Sequence, residues 1–156
     1  MHDVSARLAE LGLTLPAPAA PVAAYVPTVE HGGLLHISGQ LPFRDDGSFV
    51  TGRLGDDVDL AGGQHAAKLC GVMLIAQIGA ALGGDFARVE RIVKLGVFVN
   101  SSPGFTDQPQ VANGASELME AVFGPSGKHA RSAVGVAVLP RGAAVEIDAI
   151  VAVRPA

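Results

Sequence analysis

Arg131 and Glu146 are the side chains in this sequence whose types and spacing most invite chemistry. Arg131 stands in ARSAVGVAVLP (130–140), a run of small residues, and Glu146 follows fifteen positions later in VEIDAI (145–150). A guanidinium fork holds both oxygens of a carboxylate at once, and a nearby carboxyl group can orient water or carry a proton. The same residues can equally form an ion pair at a surface or interface, Arg131 with Glu146 or Asp148. Ser38, in HISGQLP (36–42), can donate to a ligand or fix a water; it can also do no more than satisfy backbone groups at a strand end. No acid–base partner stands at a spacing that would make it a nucleophile. Asn113 falls in the middle of a helical stretch, a poor place for asparagine, so it either has a side-chain task or faces water. Tyr25, the only tyrosine, can close a cleft or pack at a rim.

Other candidate groups carry less. Cys70 is the only cysteine, so no intramolecular disulfide forms, and its place in an apolar helix reads as a small buried residue. His129, two positions before Arg131, has the right chemistry for acid–base work but reads as a rim or interface residue. His31, His36 and His65 lack metal-ligand spacing. Gly62-Gly63 and Gly83-Gly84 lack the Lys-Ser/Thr pair of a phosphate cradle.

The elements that must position these groups follow from periodicity and punctuation. Val4–Leu11 reads as a short helix with Asp3 as N-cap and Gly12 as stop; Pro16–Pro21 reads as an extended connector. Val22–Val29 and Leu34–Ser38 are β-prone and are joined by His31-Gly32-Gly33, a hairpin signal. Asp45-Asp46-Gly47 is a turn by composition. Asp59 can cap a long helix, Leu60–Leu82, with a packing stripe at Leu69, Val72, Met73, Ala76 and Gly79/Ala80 and a stop at Gly83-Gly84. Val89–Val99 reads as a strand buried on both faces, and Thr106–Phe123 as a second helix. Ser132–Leu139 and Ala143–Val153 are strands separated by Pro140-Arg141-Gly142. The order β-β-α-β-α-β-β predicts an α+β fold, a mixed sheet with two helices on one face. By the two-residue period, Val134, Val136 and Val138 point to the core with Val145, Ile147, Ala149 and Val151. Arg131, Ala133, Gly135 and Ala137 then share the other face with Glu146 and Asp148. The small residues there suit a surface covered by another subunit in preference to one simply exposed to solvent, the other reading.

Length and composition bound the answer. The chain has 156 residues, which suits one domain. Hydrophobic residues make up 49%, but 25 residues are alanine, so roughly a third of the chain is larger and apolar, as in an ordinary globular core. Fifteen acidic against eleven basic side chains give a net charge of −4, the wrong sign for a protein that lives on nucleic-acid phosphates. Leu60–Leu82 is interrupted by Gln64, His65, Lys68 and Gln77 and does not read as a membrane span. The opening segment is amphipathic and carries acids, unlike a signal peptide. The expected location is cytoplasmic, with no membrane partner.

HISGQLP at 36–42, ALGGDFARVERIVKLGVFVNS at 81–101, Asn113, and ARSAVGVAVLP with VEIDAI across 130–150 occur together and in order. With these pieces the chain resembles the YjgF/RidA family of reactive-intermediate deaminases, the endoribonuclease L-PSP-like proteins, from Tyr25 to Val153. The resemblance implies a chorismate-mutase-like α+β fold assembled as a homotrimer with inter-subunit sites. It implies hydrolysis of imines and enamines, such as 2-aminoacrylate, to 2-oxo acids and ammonia, with no metal or organic cofactor. On this sequence Arg131 would anchor the substrate carboxylate, and Ser38, Asn113, Tyr25 and the Ala133 backbone would surround the imine. Glu146 would position water. Ala133 departs from the family pattern, since many members carry cysteine there; thiol chemistry is removed, while the backbone N–H and C=O remain.

Two other functions stay open at this level. The same cleft can serve a non-catalytic module that binds or senses a small carboxylate. Endoribonuclease activity or translation inhibition is also attached to the family, although an aromatic content of 4% and the negative charge offer little to single-stranded RNA. Residues 1–21 read as an N-terminal helix and Pro/Ala connector added to a single domain, 22–156.

Overall fold

A computed structural model describes residues 3–18, 20–21 and 23–156. The elements in chain order are α1 (Val4–Glu10), β1 (Thr28–His31), β2 (Leu34–Gln40), α2 (Leu60–Ala81), β3 (Val89–Asn100), α3 (Gln108–Phe123), β4 (Ala130–Val136) and β5 (Val145–Val153). The five strands form one mixed sheet in the order β1-β2-β5-β3-β4. Only β3 and β4 run parallel, joined through α3; the other pairs are antiparallel. The class is α+β, as expected. The hairpin turns at Gly32 and Gly33, both at positive φ, which glycine adopts without a side-chain clash.

Strand β5 alternates strictly between buried and half-buried residues, with Val145, Ile147, Ala149, Val151 and Val153 against the helices. α2 supplies most of the opposing layer. Asp59 caps it by accepting from the Gly62 N–H at 2.7 Å, and Gly83 and Gly84 end it at positive φ. The expected stripe is shifted. Met73 and Ala76 are buried, but Leu69 and Val72 are only half-buried and Ala80 is exposed. Ala66, Cys70, Leu74 and Ile78 form the seam instead. Met73 to Ile78 are all buried, so an apolar helix covered nearly all round offers no contrast from which to read its facing side.

Other boundaries also move. The first β segment begins at Thr28; residues 23–25 form a bend, and Val22 lies outside the described residues. The second long helix starts at Gln108 rather than Thr106, with Pro109 in its first turn, where a missing N–H costs nothing. Strand β4 begins and ends earlier than Ser132–Leu139. Within one chain β3 is fully buried only on its helix side, where Ile92, Leu95, Val97 and Val99 lie; Gly96 and Phe98 on the other side are half-buried.

The largest correction concerns the faces of β4. Val134 is 47% exposed and Val138 70%, so neither belongs to the core. The parallel register pairs Leu95 with Arg131, Val97 with Ala133 and Val99 with Gly135. Because directly paired residues share a face, Arg131, Ala133 and Gly135 turn toward the helices. Strand pairing outweighs the strand's own apolar alternation.

α1 joins α2 and α3 in the helix layer. Val4 and Leu8 are buried, and the Arg7 Nε donates to the Ala121 carbonyl of α3 at 2.7 Å. α2 and α3 approach closely through Gly63, Gly71 and Gly114. A Cβ at Gly114 would collide with the Gln64 carbonyl of α2, which is backbone and cannot swing away. Alanine is the better helix former by about 1 kcal/mol; here the collision decides the sign. Gly114→Ala is expected to lose about 1–3 kcal/mol in urea denaturation. Gly104→Ala, whose added methyl meets nothing within 4 Å, is expected to stay within about 0.5 kcal/mol of the parent.

Candidate functional site

Arg131 reaches from β4 to α3 and is held there from three sides. Its Nη1 donates to Asn113 Oδ1 at 2.8 Å and to Ser116 Oγ at 3.1 Å, and its Nη2 donates to the Pro109 carbonyl at 3.2 Å. A guanidinium has five N–H donors. Two therefore remain without an acceptor among the described residues. Ser116 Oγ lies 2.9 Å from His129 Nε2, and His129 Nδ1 lies 2.6 Å from the Gly127 carbonyl. A carbonyl only accepts, so Nδ1 carries a proton, and Nε2 and the Ser116 hydroxyl share the second hydrogen bond. The chain Arg131–Ser116–His129–Gly127 fixes the guanidinium in place. It borders a cavity of about 330 Å³, into which Glu117, Glu120 and Lys128 also face.

Glu146 lies on the opposite face of the sheet. It pairs with Phe98 on β3, away from the helices. Its carboxyl packs on Gly39, where a Cβ would stand 2.9 Å from Cδ. It borders a second cavity, about 310 Å³, with Tyr25, Pro27, Leu41, Phe43 and Arg141. The Arg141 guanidinium lies over the Phe49 ring, 4.9 Å from its centroid, and Phe49 meets Phe43 edge-on. Burial, and secondarily the Asp148 carboxylate, hold the Glu146 carboxyl above its ordinary pKa. Burial likewise raises Asp148, against the pull of the Gly96 backbone and Lys94. Burial lifts the Cys70 thiol well above its usual value, so this cysteine is a core residue and not a nucleophile.

The structure thus brings Arg131 together with Asn113, and Glu146 together with Tyr25, but does not bring the two pairs to one cavity. The expectation that Arg131 and Glu146 share a face is overturned by the β3–β4 register. Ala133 lies two positions from Arg131 on the helix side and packs against the core. Ser38 donates its hydroxyl to the Val26 carbonyl at 2.9 Å, and its N–H bonds to the Pro27 carbonyl. It therefore ties down the segment that carries Tyr25. Ser116 is absent from the sequence reading, and His129 appears there only as a rim residue. Both were accessible: Ser116 is three residues beyond Asn113 on one helix face, and His129 shares alternation with Arg131. Among the described residues no cluster of three or more His, Cys, Asp or Glu has metal-binding geometry, and no helix is long and apolar enough to cross a membrane.

The chain belongs to the endoribonuclease L-PSP family, the YjgF/RidA proteins, whose family model matches residues 15–153. It is 56% identical to Protein TCP17 of Trypanosoma cruzi over 95% of this chain and 92% of that one. A 2-iminobutanoate/2-iminopropanoate deaminase of Dermatophagoides farinae is 27% identical over 86% and 89% of the two chains. Among solved structures, a protein of unknown function from Agrobacterium tumefaciens is 51% identical, with a TM-score of 0.89 over 97% of this chain and 94% of that one. The YjgF gene product of E. coli is 29% identical, with a TM-score of 0.62 over 91% and 96%.

The elevated Glu146 pKa has a direct consequence for stability. The folded state disfavours the charged carboxyl, so between the ordinary value of 4.5 and the raised one it binds more protons than the unfolded chain. Stability therefore falls as pH rises through that window, and the cost is complete above it. Glu146→Gln, which cannot ionise, is expected to melt above the parent at pH 8, with the gap closing below about pH 4.5. Melting curves at pH 4 and pH 8 check this; a gap independent of pH contradicts it.

Proposed function

We propose that this protein hydrolyses reactive 2-imino and 2-enamino acids to 2-oxo acids and ammonia in the cytoplasm, at a site completed by two protomers of a homotrimer. The observation that carries the reading is Arg131: its guanidinium is immobilised by Asn113, Ser116 and the Pro109 carbonyl, yet keeps two N–H donors for a ligand. A carboxylate is the planar acceptor that fits them. Family membership and the 27% identity to the mite imine deaminase support the choice of chemistry.

In this mechanism Arg131 binds the carboxylate and fixes the imine carbon. Water adds to that carbon as a proton passes to the imine nitrogen. The resulting carbinolamine then collapses, the C–N bond breaks, and ammonia leaves behind a 2-oxo acid. Glu146 takes the proton from water and returns it to the departing nitrogen; burial raises its pKa, which makes its carboxylate a stronger base. Asn113 and the Ala133 backbone line the carboxylate side, and Tyr25, held by Ser38, closes the other. No metal or organic cofactor enters these steps. Free imines hydrolyse in water unaided, so placement supplies most of what is needed.

Two protomers are invoked because Arg131 and Glu146 lie on opposite faces of one sheet. The helix-free face exposes Val29 and Val134, and Val26 and Val138 are exposed just beyond the ends of β1 and β4, apolar side chains that a second copy would cover. The functional unit is the domain 22–156, and residues 1–21 add to it. Ribonuclease action fits less well, because a chain of net charge −4 lacks the cationic surplus that phosphate backbones require.

The test generates imino acids in place with an amino-acid oxidase and traps them with semicarbazide. The parent is expected to suppress semicarbazone formation. Arg131→Ala is expected to lose about 100-fold in kcat/KM, from two charge-assisted hydrogen bonds at about 1.5 kcal/mol each. Carboxylate binding without suppression, for alanine-, leucine- and serine-derived imines alike, would replace the enzyme by a binding module.

A further inference from the structure

A third cavity lies on the other side of Glu117 from the Arg131 cavity, sharing that one residue with it, and away from the Glu146 cavity. Its outer wall is Leu11 and Leu13, which follow α1 and precede residue 15, where the family match begins. This wall is fixed in place. Gly12 turns the chain at φ 66, the Leu13 N–H bonds to the Leu8 carbonyl at 2.9 Å, and Arg7 ties α1 to α3. Beneath it, α2 presents Gln64, His65 and Lys68, while α3 presents Glu117 and Leu118. The volume is about 350 Å³, within the range of small-molecule sites, about 300–1,000 Å³.

The chemistry of the lining is specific. Lys68 and Glu117 stand on neighbouring helices and border one cavity, yet neither makes a hydrogen bond or ion pair among the described residues. Gln64 donates its amide N–H to the Gln110 carbonyl at 3.0 Å, leaving its own oxygen as an acceptor. Leu11, Leu13, Leu118 and Ala121 make the remaining surface apolar. Opposite unpaired charges beside an apolar wall complement a zwitterion that carries an apolar side chain. We propose that this cavity binds a free α-amino acid with a long or branched apolar side chain, its carboxylate toward Lys68 and His65 and its ammonium toward Glu117 and the Gln64 oxygen. The proposal does not rest on the deaminase reading, since it concerns a different cavity and is read by binding.

Isothermal titration calorimetry on the full chain tests it, with L-leucine, L-methionine and L-phenylalanine as probes. L-Leucine is expected to bind saturably. 4-Methylpentanoate, which lacks the ammonium, and 3-methylbutylamine, which lacks the carboxylate, are expected to bind at least tenfold more weakly. Lys68 and Glu117 are both exposed, so Lys68→Gln and Glu117→Gln leave the fold intact and are expected to weaken L-leucine at least tenfold. Arg131→Ala is expected to leave this binding unchanged. No saturable binding of any of the three amino acids up to about 10 mM overturns the proposal. So does equal binding of the half-charged analogues, or loss of binding in Arg131→Ala, which would put the ligand at the arginine instead.

Discussion

The pairing of β4 with β3 is the constraint on which the rest of the site depends. Leu95 opposite Arg131 and Val97 opposite Ala133 fix which way every side chain of β4 points. A slip of one residue would bury Val134 and turn Arg131 outward. In the actual register the guanidinium passes beneath α3, where Asn113, Ser116 and the Pro109 carbonyl in the helix's first turn receive it. A charged group on the core side of a sheet is tolerable only with such partners. The small residues of β4 and the polar positions of α3 are thus two parts of one arrangement.

The same register exposes Val134, while the pairing of β5 with β3 leaves the carboxyls of Glu146 and Asp148 on the helix-free face, where burial raises both. Gly39 and Gly96 make room for them, since a Cβ at either position would meet a carboxyl group. Two half-sites on opposite faces of one sheet cannot act on one small molecule within a chain. The proposed association of protomers would resolve this, and the exposed valines supply a reason for it.

Much of the fold was legible in the sequence because its signals are local. Asp59, the Gly83-Gly84 stop, the His31-Gly32-Gly33 turn and the apolar run of β3 each act within a few residues. What could not be read locally was orientation. The β4 valines alternate in a way that invites burial, and only the non-local partner strand reverses it. The face of α2 was hidden for a different reason, because too many of its residues are apolar for any stripe to stand out. At the candidate site, motif resemblance pointed to Arg131 and Glu146, whereas the contacts that link Arg131 to Ser116 and Ser116 to His129 emerge only when α3 and β4 are packed together.

Mixed oligomers test the central claim, that one site draws Arg131 from one protomer and Glu146 from another. Arg131→Ala and Glu146→Gln proteins, each inactive alone, would be unfolded, combined in equal amounts and refolded together, then assayed for imine hydrolysis. Random assembly restores one intact site in about every four, so activity should return to about a quarter of the parent's. A mixture as inactive as its two components would show that both residues serve a single chain and would contradict the account.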